Sequence, residues 1–143
     1  IDLTMDAFIP DSYISNEYQK LDIYKRIAGI ENQQDYDDML EELLDRFGEM
    51  PKAVLNLLAI ARMKALAHRT YVTEIKQLGK DMRITLYEKA QINPAGIPAL
   101  MQKYRRGLQF KAEQEPKFIF TPQGRVLEAL TGFLEELNQL VEE

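Results

Sequence analysis

The sequence has no cysteine and a single histidine, His68. Without cysteine the chain can form no disulfide, no thiolate zinc site and no cysteine nucleophile, and one imidazole is too few for a histidine metal cluster. No phosphate-binding loop, HExxH or GxSxG motif occurs. Adjacent carboxylates such as Glu135 and Glu136 lie in a predicted helix rather than in a cleft. We therefore expect no catalytic residue, no metal and no cofactor in this chain.

Long apolar runs are also absent, and the first residues lack the basic start and apolar stretch of a secretion signal. These absences predict a soluble, cytoplasmic chain with no membrane contact. Its 143 residues match the size of one domain. The sequence opens at Ile1 without a methionine and already in a strand-like pattern. We expect residues 1–143 to be a single domain of a longer protein.

Charge is distributed unevenly along the chain. Residues 1–58 carry 13 acids and 5 bases, residues 59–125 carry 5 acids and 13 bases, and residues 126–143 carry 5 acids and no base. The overall charge of −5 therefore conceals an acidic, a basic and a second acidic segment. Such segments can neutralise one another through surface ion pairs, each worth at most about 1 kcal/mol.

Hydrophobic periodicity predicts the first half of the fold. Alternation of apolar and polar residues from Ile1 to Ile9 predicts a strand that ends at Pro10. Helical spacing follows over residues 16–28, with Ser15 as the expected N-cap, and again from about residue 32 or 35 to Phe47, with Gly48 after it. Pro51 suits the first position of a third helix that continues to about Thr70.

The pattern of residues in the second half of the sequence predicts a small sheet. Residues 71–78 and 82–87 flank the turn-like Gly79-Lys80-Asp81 and predict a hairpin. Asn93 before Pro94 predicts the start of a short helix to about Tyr104. Residues 108–112 and 117–120 predict two more strands, and a final amphipathic helix begins at Thr121-Pro122. The fold class is therefore α+β: an N-terminal strand and two to three helices, then a small, mainly antiparallel sheet and a long C-terminal helix.

The polar side of the second predicted helix is acidic. Its main stripe, spaced four and three residues apart, consists of Asp38, Glu42 and Asp45. Neighbouring acids widen the stripe: Asp35, Asp37 and Glu41. Only Arg46 on this helix carries the opposite charge, and carboxylates near a helix C-terminus oppose its dipole. The stripe is either an ordinary solvated face or a docking surface for a basic patch on a partner or on another domain.

The basic middle segment also has two interpretations. Its lysines and arginines can form a solvated surface, or, with the tyrosines between them, a nucleic-acid surface that neutralises phosphates and stacks on bases. The candidate residues for nucleic acid are Arg62, Arg69, Lys103, Arg105 and Arg106. The net charge of −5 and the lack of a recognised binding motif favour the first interpretation.

Four sequence strings resemble a known family. They are FIPDSYI from Phe8, YKRIA from Tyr24, EELLDRFGEMP from Glu41 and LLAIARMKALA from Leu57. In this order and spacing they resemble the C-terminal domain of bacterial transcription-repair-coupling factors, and INPAGIPALMQK from Ile92 continues the likeness. These proteins are ATP-driven DNA translocases that dislodge stalled RNA polymerase and recruit excision-repair proteins.

The resemblance implies a non-catalytic, regulatory role. In the family the motor lies in helicase-like domains, and the C-terminal domain packs on an N-terminal domain, hiding the surface that binds the repair ATPase that recognises damage. Engagement of RNA polymerase and DNA releases this contact. The family's acidic contact residues fall on Glu42 and Asp45, with Arg46 beside them, and Asp38 and Glu41 extend the same candidate surface. The N-terminal domain is thus the expected intramolecular partner, in a bacterial cytoplasmic protein.

Overall fold

The computed structural model describes residues 2, 3 and 5–142. Within them the chain forms five α-helices and a four-stranded sheet, which confirms the predicted α+β class. The elements in chain order are α1 (Glu17–Ala28), α2 (Gln33–Phe47), α3 (Lys52–Arg69), β1 (Val72–Leu78), β2 (Asp81–Leu86), α4 (Ile97–Tyr104), β3 (Leu108–Lys111), β4 (Lys117–Phe120) and α5 (Val126–Asn138). Two 3-10 turns flank α4, at Pro94–Gly96 and Arg105–Gly107.

The chain divides into two compact units, and the boundary between them falls within α3. The helical unit is Met5–Ala65 and contains α1, α2 and most of α3. The sheet unit comprises the described chain from Leu66 onward together with residues 2 and 3, and contains all four strands, α4 and α5. No helix in the described parts of the chain combines the length and the apolarity needed to cross a membrane.

Each helix of the helical unit contributes two buried residues four positions apart. They are Ile23 and Ile27 of α1, Met39 and Leu43 of α2, and Val54 and Leu58 of α3. Residues at this spacing lie on one side of a helix, so the three helices share one apolar core. Burying each such side chain contributes about 1.5–3 kcal/mol. This core fixes which side of α2 remains in solvent.

Side-chain caps set where α1 and α2 begin. Asn16, not the predicted Ser15, caps α1, since its Oδ1 accepts hydrogen bonds from the backbone N–H groups of Tyr18 and Gln19, both at 3.0 Å. The Asn16 oxygen reaches the first free N–H groups from the position directly before the helix. Asn32 caps α2 in the same way, accepting from the N–H of Asp35 at 2.8 Å, as one of the two predicted starts requires.

In the described part of the predicted N-terminal strand, one bridge joins it to the sheet. Asp2 pairs in parallel with Lys76 of β1, and Ile1 and Thr4 lie outside the described residues. From Met5 to Ile9 the backbone joins no sheet, because the N–H of Phe8 donates to Ala53 O and that of Ile9 to the Tyr24 hydroxyl. The alternation still corresponds to alternating burial that ends at the buried Ile9. The alternation in the sequence therefore marks a half-buried extended segment that is not a strand of the sheet.

The sheet has the order β1-β2-β4-β3, and all neighbours are antiparallel. β1 and β2 form the predicted hairpin, in which Leu78 pairs with Asp81. Gly79, the first residue of the loop, has a φ of 63°, the conformation that makes glycine the preferred residue at this position of a type II′ turn. Phe118 and Phe120 of β4 lie on the same face of the sheet and both contact Phe133 of α5, with ring centroids 5.4 Å and 5.0 Å apart.

The last helix begins later than predicted. α5 starts at Val126 rather than at Thr121, because Thr121 remains attached to the sheet unit's strands. Its N–H donates to Gly107 O at 2.8 Å, and its hydroxyl donates to Asp81 at 2.6 Å. β3 likewise ends at Lys111, one residue before the predicted end.

Candidate functional site

The solvent side of α2 presents four exposed carboxylates. They are Asp37, Asp38, Glu41 and Asp45, all opposite the buried Met39 and Leu43. Two of them accept hydrogen bonds from amides one turn earlier, Asp37 from Gln33 at 2.8 Å and Asp38 from Gln34 at 2.7 Å. These amides leave the negative charge intact, since glutamine is neutral. We call Asp38, Glu41 and Asp45 the acidic face of α2.

Among the described residues, none provides a counter-charge to Glu41 or Asp45. In the described parts of the chain neither carboxylate accepts a side-chain hydrogen bond or forms an ion pair. They are separated by four residues and therefore lie one turn apart on the same side of the helix. Leu44, between them in sequence, is 56% exposed. The acidic face therefore offers two unpaired carboxylates next to an exposed apolar side chain.

Glu42 is arranged differently from the prediction. Instead of facing solvent, its half-buried side chain accepts hydrogen bonds from Arg26 of α1, whose two Nη atoms contact both carboxylate oxygens. Arg46, one turn along α2, adds a third contact at 2.9 Å. Arg46 is the cation that α2 itself supplies, and Arg26 of α1 adds a second one at the same carboxylate, which helical spacing alone did not predict. We call Arg26, Glu42 and Arg46 the arginine cluster.

The arginine cluster keeps Glu42 ionised. Hydrogen bonds from Arg26 are the main cause that lowers the pKa of Glu42 from 4.5 to about 2, with those from Arg46 adding to it against the opposing effect of desolvation. The same contact raises the pKa of Arg26. Two guanidinium groups surround one carboxylate, so the cluster carries a positive charge at neutral pH.

The C-terminal end of α2 is held by Tyr13. Its hydroxyl lies 2.9 Å from Gly48 O and 3.1 Å from Leu43 O, in position to donate to either carbonyl at this end of the helix. Its ring also packs on Phe47, with the centroids 5.9 Å apart. Asp45 lies in this last turn, so Tyr13 helps to fix the position of the acidic face.

The five candidate residues for nucleic acid are divided between the two units of the chain. Arg62 lies in the helical unit, where its guanidinium covers the ring of Tyr36 at 5.9 Å. Lys103 in the sheet unit pairs with Glu136 at 2.6 Å. The others in the sheet unit are exposed: Arg69, Arg105 and Arg106. Two of the five candidates therefore already interact with side chains of this chain.

Metal-ligating side chains and the single histidine were the other candidates for a functional site. The described residues contain no group of three or more histidine, cysteine, aspartate or glutamate side chains arranged to hold a metal ion. His68 is exposed near the end of α3.

Three contributors to this site were missed in the sequence. Two of them, Arg26 and Tyr13, lie outside α2 and contact it through tertiary packing. The third, Leu44, belongs to α2 and lies at the edge of its apolar side. For Arg26 a signal was available, since it lies in the last turn of α1, where cations are favoured, and within the YKRIA string. Its partner, Glu42, lies on a different helix and could not be predicted from residue spacing.

The sequence matches the model of the TRCF domain family over residues 3–97. Curated relatives are transcription-repair-coupling factors. The Bacillus subtilis protein is 32% identical over 147 residues, 98% of this chain and 12% of that protein. The Escherichia coli protein is 29% identical over 141 residues, 97% of this chain and 12% of that protein. The chain thus spans about an eighth of the length of these relatives.

Other comparisons agree with these. A Staphylococcus aureus transcription-repair-coupling factor is 40% identical over 96 residues, which cover 67% of this chain and 8% of that protein. A crystal structure of the C-terminal domain of a transcription-repair coupling factor superimposes with a TM-score of 0.77 at 29% identity, covering 98% of this chain and 91% of that one. The similarity therefore extends through both units of the chain.

Proposed function

The chain belongs to the TRCF domain family, and on that premise we propose that it is a regulatory interaction domain of a transcription-repair-coupling factor. It docks through the acidic face of α2 onto the N-terminal domain of the same protein. The docked state hides the surface that recruits the excision-repair ATPase that recognises damage, and it restrains the DNA translocase. This chain contributes no catalysis of its own, and the ATP-driven motor lies elsewhere in the parent protein.

The observation that carries this proposal is the pair of unpaired, exposed carboxylates Glu41 and Asp45 beside the exposed Leu44. Unpaired charges at the rim of an interface guide orientation and exclude wrong partners, while an apolar side chain between them adds contact area. A partner surface with cations spaced to meet Glu41 and Asp45 satisfies both requirements. Asp38 extends the same charge by one turn.

Reversibility follows from the chemistry of such a contact. Exposed ion pairs contribute at most about 1 kcal/mol each, so docking through a few of them is weak. A ligand shifts a two-state equilibrium only by its difference in affinity for the two states. Engagement of RNA polymerase and DNA by the parent protein supplies that difference and releases the domain.

The alternative, a nucleic-acid-binding accessory domain, has less support. Of its candidate residues, Lys103 is paired with Glu136 and Arg62 covers Tyr36, so neither is freely available to phosphates. Arg69, Arg105 and Arg106 remain as exposed cations. Loss of binding to a labelled duplex as salt rises would favour this alternative.

The test of the proposal is binding between the 143-residue chain and the separately purified N-terminal domain of the same protein, measured by calorimetry. Asp45→Lys should weaken binding by about tenfold or more, since it turns an attraction into a repulsion. Glu31→Lys is the matched control, because it changes the net charge equally at an exposed residue before the other end of α2. Equal affinities of the two variants, or no binding of the unmodified chain, would overturn the proposal.

A further inference from the structure

Arg26 forms an ion pair with Glu42, a carboxylate that the family resemblance assigns to the contact with the partner. It lies in the last turn of α1 and donates to both oxygens of Glu42, while Arg46 donates to one of them. Three of the roughly four acceptor positions of a carboxylate are thus filled from within the chain. By contrast, Glu41 and Asp45 lie in the same two turns of α2 without any such contact in the described residues.

We propose that Arg26 is an internal counter-ion that attenuates docking: it competes with the partner's cation for Glu42 and so keeps the contact weak enough to open. This inference rests on the proposed function, and it names the residue of this chain that regulates the site. Glu42 then joins the interface only when a partner cation displaces Arg26 or shares the carboxylate with it.

Electrostatics give the direction of the effect. The arginine cluster carries two positive charges and one negative charge, so an approaching cation meets repulsion at Glu42 but attraction at Glu41 and Asp45. Removing the charge of Arg26 leaves Glu42 with Arg46 alone and makes the surface more attractive to a basic partner. Because the side chains of Arg26 and Arg46 are 43% and 38% exposed, water and salt limit the effect to about fivefold in affinity.

Lys25 provides a matched control for Arg26. Both residues are exposed cations in the last turn of α1, so neutralising either one changes the net charge and the helix-dipole interaction equally. The side chain of Lys25 has no hydrogen bond or ion pair in the described chain, whereas Arg26 holds Glu42. The difference between the two variants isolates the contact with Glu42.

The experiment measures binding of Arg26→Gln and Lys25→Gln chains to the purified N-terminal domain, after circular dichroism has verified that both variants are folded. Arg26→Gln should bind about fivefold more tightly than the unmodified chain, and Lys25→Gln should change affinity by less than about twofold. In the background of Glu42→Gln, the effect of Arg26→Gln should disappear, because the two residues act through one contact.

The outcomes separate this inference from the proposed function. Weaker binding of Arg26→Gln, or a change equal to that of Lys25→Gln, would overturn the inference, and loss of binding in Asp45→Lys would leave the proposed function standing. An unmodified chain that does not bind the N-terminal domain would overturn both. A gain that vanishes at about 1 M salt, where the Debye length is about 3 Å, supports the electrostatic mechanism.

Discussion

Arg26 of α1 donates from both of its terminal nitrogens to the two carboxylate oxygens of Glu42 on α2, sixteen residues further along the chain. A bidentate arginine–carboxylate pair fixes both position and orientation, which a lysine cannot do as well. The pair therefore joins two helices at the edge of the acidic face. It distinguishes Glu42, whose charge is neutralised within the chain, from Glu41 and Asp45, which form no ion pair in the described residues.

Glu42→Gln should lower the free energy of unfolding by about 0.5–1 kcal/mol, because the neutral amide removes the negative charge from three charge-assisted contacts at a site that water partly screens. Glu41→Gln, one residue earlier, should change stability by no more than a few tenths of a kcal/mol, since that carboxylate has no side-chain partner among the described residues. Urea unfolding of both variants measures the difference. Equal stabilities would mean that the arginine cluster contributes nothing to the fold.

Acid should remove the contribution of Glu42 over a defined range of pH. Its pKa in the folded chain is about 2, below the usual value of 4.5, so the unfolded chain binds more protons between these values. The stability that Glu42 provides is therefore present above about pH 4.5 and is lost as the pH falls toward 2. We expect the difference in unfolding free energy between the unmodified chain and Glu42→Gln to shrink over this range. A difference that stayed constant down to about pH 3 would contradict the assigned pKa.

Leu43 and Leu44 are neighbours in α2 with opposite environments. Leu43 is fully buried, with 0% exposure, whereas Leu44 is 56% exposed. Leu43→Ala should cost about 2–5 kcal/mol through lost burial and the cavity left behind, and Leu44→Ala less than about 0.5 kcal/mol. Thermal unfolding compares the two, and similar losses would show that α2 is rotated relative to the structure described.

The start of α1 can be tested with two small substitutions. Asn16→Ala removes the side-chain acceptor of two backbone N–H groups and should cost about 1 kcal/mol. Ser15→Ala, at the residue favoured by the sequence prediction, should be nearly neutral. Guanidinium unfolding curves of the two variants decide which residue is the cap, and a larger loss for Ser15→Ala would reverse the assignment.

The elements that periodicity predicted well are those in which one face is apolar over several turns. Leu130, Phe133, Leu134 and Leu137 of α5 are all fully buried, as their spacing required. The errors lie where a hydrogen bond from a distant residue decides the local structure. Thr121 stays with the sheet because its hydroxyl donates a hydrogen bond to Asp81, which lies forty residues earlier in the sequence. No local sequence pattern contains that information.

In the candidate site, too, the sequence predicted the periodic features and not those that depend on contacts between distant residues. The exposed stripe of acids on α2 was predictable, because charge and helical spacing are properties of the sequence. Which of those acids is neutralised was not predictable, since the carboxylate that spacing placed at the centre, Glu42, lies on the side of α2 that meets Arg26. Contacts between helices therefore decide which carboxylates remain free.

The most direct test of the docking proposal compares carbodiimide labelling of carboxylates in the 143-residue chain with labelling in the full-length parent protein at rest, read by mass spectrometry. Glu41 and Asp45 should be labelled in the isolated chain and protected in the parent protein, while Glu17 and Glu128, whose side chains are 81% and 73% exposed, should be labelled in both. Equal labelling of Glu41 and Asp45 in the two proteins would contradict docking through the acidic face of α2.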